Sequence, residues 1–287
     1  MNLIDTHCHV ISPDQSRYPR APLGGKQSGW ASSRPVTAED LVALMDKAGI
    51  AQAALVQAST AYGYDNSYVL DSAARWPQRF VAVGTFDPLE ADADALLEDA
   101  VGQVGLAGVR LFTTGSTMAA QGEWFAAPET SDFWRAAGQL DVTVCLQMRL
   151  GAATAQLRSV LERFPSVKVL LDHMGYPDIA ASPGEAGRQV AELAQYPGLH
   201  LKLTHRTLGP LRDAGPEAVA FLDPVVGAFG AERIAWGSNC PAAEQPLTEL
   251  VDLAVSVLAV LQDSARAQIF TGTARRLYRA LGEEAAA

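Results

Sequence analysis

The chain has 287 residues, with 22 Lys and Arg against 32 Asp and Glu, giving a formal charge of −10 with the histidines neutral. Nucleic acid and anionic membrane surfaces are therefore excluded as expected partners, because both are gripped through basic patches. Hydrophobic residues make up 48% and charged residues 19% of the sequence, enough apolar side chain for a large core and too little net charge for a disordered chain. The opening MNLIDTHCHV lacks a basic flank followed by an apolar run, and no uncharged apolar stretch approaches the ~20 residues of a membrane span, so neither export nor membrane insertion is expected. Cys8, Cys145 and Cys240 are odd in number and far apart, which argues against a disulfide framework and fits a reducing cytoplasm.

In chain order, short β-branched and apolar runs predict strands over residues 3–9, 52–57, 80–86, 108–112, 142–148, 168–174, 200–205 and 233–239. Stretches of helical period lie between and after them, at 65–75, 91–104, 154–164, 185–195, 216–229, 247–261 and 263–281. Such alternation is the pattern of parallel βα units, so the fold class is α/β. An open doubly wound sheet carries a Gly-rich turn after its first strand, and here His7-Cys8-His9 stands there instead. A (β/α)8 TIM barrel in one domain is the better reading, and it places the chemistry at the carboxyl ends of the strands. Two long loops on that face, 11–35 and 113–130, are expected either as lids and pocket walls or as solvated excursions.

The strand ends carry the candidate residues. Alternation along the first strand turns Asp5, His7 and His9 one way, into the barrel mouth, and Thr6 and Cys8 the other, with Cys8 a buried hydrophobe against the helix layer. The sixth strand brings His173 to the same level, with Asp172 on the opposite face and Gly175 and Pro177 ending the run. The eighth aims Asn239 into the mouth and turns Trp236 toward the helices. Gln147 and Met148 end the fifth strand. Gln57, Tyr62, Tyr64 and Asn66 follow the second strand and supply neutral hydrogen-bonding groups, Asn66 alternatively capping the next helix. Trp30, Trp124 and Phe125 either wall a flat ring or pack against their own loops. His205 stays open between ligand contact and structure, while His200 stands at the wrong end of its strand.

Three pieces carry a resemblance: the His-x-His of His7 and His9, the Asp-His-x-Gly of Asp172 to Gly175, and Trp236-Gly-Ser-Asn239-Cys-Pro241. They are similar to the motifs of the amidohydrolase superfamily of metal-dependent-hydrolase barrels. Within it, Val56-Gln57 with Tyr62 to Asn66, Gly108-Val109-Arg110, and Lys202-Leu-Thr-His-Arg206 look most like the lactonase branch that includes 2-pyrone-4,6-dicarboxylate lactonase. The resemblance implies a set of three histidines acting on a carbonyl, as zinc ligands in metal-dependent relatives and as a metal-free polarising set in that lactonase. It also implies an eighth-strand carboxylate that takes a proton from water.

Here that place is Asn239, which orients a water but carries no proton away at neutral pH. A metal site loses its anionic ligand, so no tightly bound metal and no other cofactor are expected. His173 or His9 becomes the base, with Asp5 below them. Arg110 and Arg206 resemble the lactonase's carboxylate-gripping pair. A guanidinium fork matches a carboxylate, and Arg149 is a weaker third candidate. Against this stands the simpler reading that each arginine pairs with a neighbouring acid. The expected activity is water-driven opening of a carboxylate-bearing lactone or related cyclic ester, with catalytic residues His7, His9, His173 and Asn239 and substrate contacts at Arg110, Arg206, Gln57, Tyr64 and Gln147. The partner is thus a small anionic molecule. A decarboxylase or lyase of the same superfamily, and a non-hydrolytic barrel that keeps an anion grip, are the alternatives. The family often forms dimers, so a homodimer stays open. The apolar segment from Ile269 to Leu281 either closes the barrel or meets a partner.

Overall fold

The computed structural model describes residues 2–118 and 120–282. Eight strands, β1 (Leu3–Cys8), β2 (Ile50–Val56), β3 (Phe80–Thr85), β4 (Gly108–Phe112), β5 (Thr143–Gln147), β6 (Lys168–Leu171), β7 (Leu199–Leu203) and β8 (Ile234–Trp236), pair in sequence order and in parallel. A bridge between Cys8 and Cys240 joins the segment after β8 to β1, with His9 N donating to Cys240 O (2.8 Å) and Asn239 N donating to His7 O (2.7 Å). The expected barrel is the observed one. At this seam Gly237 is required by close approach, since a Cβ there would lie 2.6 Å from His7 Cβ.

Alternation gives each strand one row inside and one row toward the helices. Ile4, Ala54, Val56, Val81, Val83, Cys145, Leu170 and Ala235 form the inner core. Leu55, Ala82, Val109, Leu111, Val144, Leu146, Leu201 and Leu203 face outward under the helices, as do Cys8 and Trp236, both as expected. The predicted helix 263–281 breaks into Asp263–Ala267, a π-helical turn Gln268–Gly272, Thr273–Leu277 and a final turn Arg279–Leu281. These turns let Ala274, Leu277, Tyr278 and Leu281 enter the amino end of the barrel and join its inner core. Thr143 Oγ1 donates to Leu277 O (2.7 Å), and Gly108 leaves room for Tyr278, whose Cε1 would lie 3.1 Å from a Cβ there. Of the two destinations expected for this segment, it takes the barrel.

Helices Ala38–Ala48, Ser131–Gln139 and His205–Ala214 complete the outer ring beyond the segments expected above. The first starts at a capping box in which Thr37 and Asp40 satisfy each other's backbone amides, and it ends at Gly49 with φ 71°. The third begins early because Thr204 Oγ1 accepts from Arg206 N, so His205 starts a helix instead of ending a strand. Among the described residues no helix is long and apolar enough to cross a membrane.

Candidate active site

The chain turns sharply at the carboxyl end of β1. Ile4 and His7 both face the barrel interior although they are three apart, because the register with β2 slips between Asp5 and Cys8. Asp5 is therefore not in the mouth, which corrects its expected place below the histidines as a reserve base. Its Oδ1 accepts from His7 N and Ser238 N, each at 2.9 Å, and so ties β1 to the segment after β8. Burial pushes its carboxyl above the usual range.

His9 reaches the mouth. Its Nδ1 lies 2.7 Å from Val56 O, and a backbone carbonyl only accepts, so Nδ1 carries the proton and Nε2 presents a lone pair. Trp30, from the first long loop, stacks on the ring at 5.1 Å and 25°. Burial, followed by the nearby Arg110 charge, lowers the His9 pKa to about 3.

β6 stops at Leu171, and left-handed backbone at His173 (φ 55°) and Met174 (φ 52°) bends the chain. The expectation that Asp172 and His173 take opposite faces is corrected by this bend. Asp172 follows Leu170 inward by strand parity, and the turn then swings His173 to the mouth as well. His173 Nδ1 lies 2.8 Å from Thr204 Oγ1, which also accepts from Arg206 N at 3.4 Å. A hydroxyl has one proton and two lone pairs, so Thr204 Oγ1 can accept from the amide and give its proton to Nδ1, the arrangement in which His173 carries Nε2–H. Burial holds the His173 pKa well below the ordinary histidine value.

Asp172 lies fully buried between two cations, with Arg110 Nε donating to Oδ2 (3.0 Å) and Lys202 Nζ 2.8 Å from Oδ1. Burial pushes this carboxyl up, but Lys202 and Arg110 together outweigh burial and hold it well below the usual carboxylate range. Arg110 also donates through Nη2 to Gln147 Oε1, while Gln147 Nε2 donates to Thr114 O (2.7 Å). Both readings of Arg110 thus hold, since it pairs with an acid and lines the pocket.

The resulting cavity, about 220 Å³, is lined by His9, His173, Asn239, Gln147, Arg110 and Arg206, with Arg149, Trp30, Phe112 and Tyr176 on its walls. The guanidinium carbons of Arg149 and Arg206 lie 4.6 and 5.9 Å from the Tyr176 ring, and among the described residues neither arginine pairs with an acid. Both long loops supply wall residues, Trp30 from one and Thr114 to Ser116 from the other. His7 lies one layer beneath, its ring 4.9 Å from His9 and 5.2 Å from His173.

Several expected residues lie elsewhere. The short helix Ser59–Tyr62 carries the chain away from the mouth directly after β2, so Ser59 and Thr60 line the cavity in place of Gln57 and Tyr64. Gln57 is buried and donates through Nε2 to Asp65 O. Tyr62 Oη accepts from Ser12 N and Arg20 Nη1, and Asn66 brackets both backbone groups of Thr85 instead of capping a helix through its side chain. Tyr64, 44% exposed, lies on the outer surface near Asp87. Its replacement in Tyr64→Ala is expected to leave kcat/KM within about twofold, as for a surface change away from any site, and a steady-state comparison checks this. His200 and His205 line no part of the cavity, Phe125 is buried beneath its loop, and Trp124 packs against the core.

Sequence reasoning missed Lys202, Tyr176 and Phe112. The lysine had a visible mark: a charged residue between the outward-facing Leu201 and Leu203 of an apolar strand has to point into the barrel.

The fit to a divalent cation is poor. Among the described residues no three His, Cys, Asp or Glu side chains gather as a ligand set. The place of an anionic ligand is taken by the Asn239 amide, and Lys202 puts an ammonium 2.9 Å from His7 Nδ1.

A protein-family profile described as Amidohydrolase matches residues 4–280. The chain is similar to L-fucono-1,5-lactonase of Burkholderia ambifaria, at 27% identity over 216 residues that span 71% of this chain and 70% of that one. In fold it is similar to a Pseudomonas putida protein assigned as a 2-pyrone-4,6-dicarboxylic acid hydrolase (TM-score 0.76, 21% identity, 97% of this chain and 98% of that one). It is also similar to a Burkholderia multivorans amidohydrolase with bound zinc (TM-score 0.75, 21% identity, 97% and 99%).

Proposed function

The chain belongs to the amidohydrolase family, and from that premise we propose that it is a hydrolase that opens a carboxylate-bearing lactone by attack of water. The similarity to a lactonase over two thirds of both chains supports the cyclic ester. The observation that carries the chemistry is a pair of imidazoles at one pocket floor, His9 offering a lone pair and His173 held through Nδ1 by a hydroxyl that lets it offer Nε2–H, under a wall of three guanidiniums.

In this reading Asn239 orients the water and His9 Nε2 takes its proton as the oxygen attacks the carbonyl. The carbonyl oxygen gathers negative charge and is met by His173 Nε2–H. The tetrahedral intermediate then expels the ring oxygen, which receives the proton from His9, so the products are a hydroxyl and a carboxylic acid, which gives its remaining proton to solvent at neutral pH. No step requires a metal, and the amide at Asn239 together with Lys202 behind His7 supports a metal-independent site. Arg206, Arg149 and the edge of Arg110 not engaged by Asp172 and Gln147 grip the substrate's carboxylate. A lyase or a purely anion-binding barrel is the weaker alternative, because binding alone needs neither tautomer.

The three cysteines are free and buried, which supports a reducing, cytoplasmic setting. The acidic chain favours a small anion held in the pocket over nucleic acid at its surface.

The test is a panel of carboxylated lactones assayed beside their methyl esters. Free acids are expected to show the higher kcat/KM, and Arg206→Ala is expected to raise KM for the acids about 10–100-fold, the loss of a charge-assisted contact of ~1.5–3 kcal/mol. Equal turnover of acid and methyl ester, with KM unmoved by Arg206→Ala, would remove the anion grip from the proposal.

A further inference from the structure

Lys202 is sealed inside the barrel with none of its surface exposed. Its Nζ lies 2.8 Å from Asp172 Oδ1, 2.9 Å from His7 Nδ1 and 3.5 Å from Cys145 Sγ. An ammonium has three N–H donors and no acceptor, so at its contact with His7 the imidazole nitrogen has to accept. The other group near that nitrogen, Asp172 Oδ1, is 3.6 Å away and outside hydrogen-bond reach. The proton of neutral His7 therefore sits on Nε2, a buried atom with no partner among the described residues. Leaving a buried donor without an acceptor is unfavourable, and this one belongs to a ring packed edge-on against the two histidines that line the cavity. Behind it, Asp172 between Arg110 and Lys202 leaves a net single positive charge beneath the pocket floor.

We infer that Lys202 is a positioning residue: it fixes His7 in the Nε2–H form, so that the layer directly beneath His9 and His173 holds an N–H and no lone pair, in support of the oxyanion that His173 meets at the lactone carbonyl. The inference rests on the hydrolase reading above for the oxyanion, and on geometry alone for the tautomer. A lysine so placed also opposes cation binding at His7, because a metal on Nε2 needs that lone pair free and the proton moved to Nδ1, against the ammonium.

The test is a two-bond 1H–15N correlation spectrum of the full chain labelled at histidine, at pH 7, with the His7 signals assigned by their loss in His7→Gln. The wild type is expected to show His7 protonated at Nε2 with Nδ1 as acceptor. In Lys202→Met only the Asp172 carboxylate remains beside Nδ1, so the two nitrogen shifts are expected to interchange and kcat to fall about tenfold, less than the ~100-fold of a donor that touches the oxyanion, with KM within about threefold. Lys202→Gln keeps a donor at Nδ1 and is expected to retain the tautomer and to recover most of the kcat lost in Lys202→Met. A wild-type His7 protonated at Nδ1 overturns the inference without any substitution being needed, and so does a His7 spectrum unchanged in Lys202→Met. An unaltered kcat in a Lys202→Met protein whose His7 has switched overturns the link to catalysis. A wild type that turns over no lactone strikes the hydrolase reading instead, while the spectra still decide the role of Lys202.

Discussion

In His9→Gln, kcat/KM is expected to fall about 1,000-fold, within the ~10²–10⁴ that a positioned general base contributes. Glutamine can accept a hydrogen bond but cannot hold the proton that His9 Nε2 receives, so orientation survives while transfer is lost. The pH profile of the wild type gives a second check. The active form is the neutral imidazole, so the rate declines as pH falls through the His9 pKa. Burial and Arg110 set that value at about 3 in the free protein. The acid limb of kcat/KM is therefore expected far below the ordinary histidine value of ~6.5, leaving a flat profile from about pH 5 to 8. A bound carboxylate beside Arg110 offsets part of that arginine's repulsion, so the limb of kcat is expected at higher pH than that of kcat/KM. An acid limb near pH 6.5 in kcat/KM, or a His9→Gln protein within tenfold of wild type, would take the base assignment away from His9.

How much of this was legible in the sequence depends on whether local pattern or local geometry decides the residue. Strand rows such as Val144 and Leu146 against Cys145, or Leu201 and Leu203 against Lys202, follow simple alternation, and the order and number of strands read directly from it. Alternation failed where the backbone leaves the strand. A register slip moved Asp5 out of the mouth, left-handed turns at His173 and Met174 brought two consecutive residues inward, and a helix directly after β2 withdrew Gln57 and Tyr64. No periodicity marks such events in advance, because they are set by the pairing partner and by turn geometry, and each lies at the carboxyl rim where the site is built. His9, His173, Asn239 and Gln147 reach the cavity because a polar residue ending an apolar strand has few places to go, whereas Arg110, within its strand, and Arg206, in a helix, were marked by the resemblance and not by alternation. Lys202 obeyed the same rule and was passed over because it sits one layer deeper, under His7 and not at the rim.

That deeper layer carries the other large expected effect. Asp172 accepts from Arg110 and faces Lys202, and none of its surface is exposed. In Asp172→Asn the amide removes the one negative charge between two buried cations, and breaking a buried ion pair by deleting one partner costs about 3–5 kcal/mol. Urea unfolding is expected to show that loss. The double variant Asp172→Asn with Lys202→Met is expected to recover part of it, since one of the two uncompensated cations goes as well; neighbouring sites of this kind do not add. The pH dependence has a definite sign. The carboxyl of Asp172 lies well below its unfolded value of ~3.9, so its stabilising contribution is fully present above about pH 4 and is lost as pH falls from there toward its folded pKa. Acid unfolding of the wild type should accordingly have a component below pH ~4 that Asp172→Asn lacks. If the single variant unfolded within about 1 kcal/mol of wild type, and with the same acid dependence, the carboxylate would not be what holds Arg110 and Lys202 together, and the positive floor beneath the imidazoles would need another support.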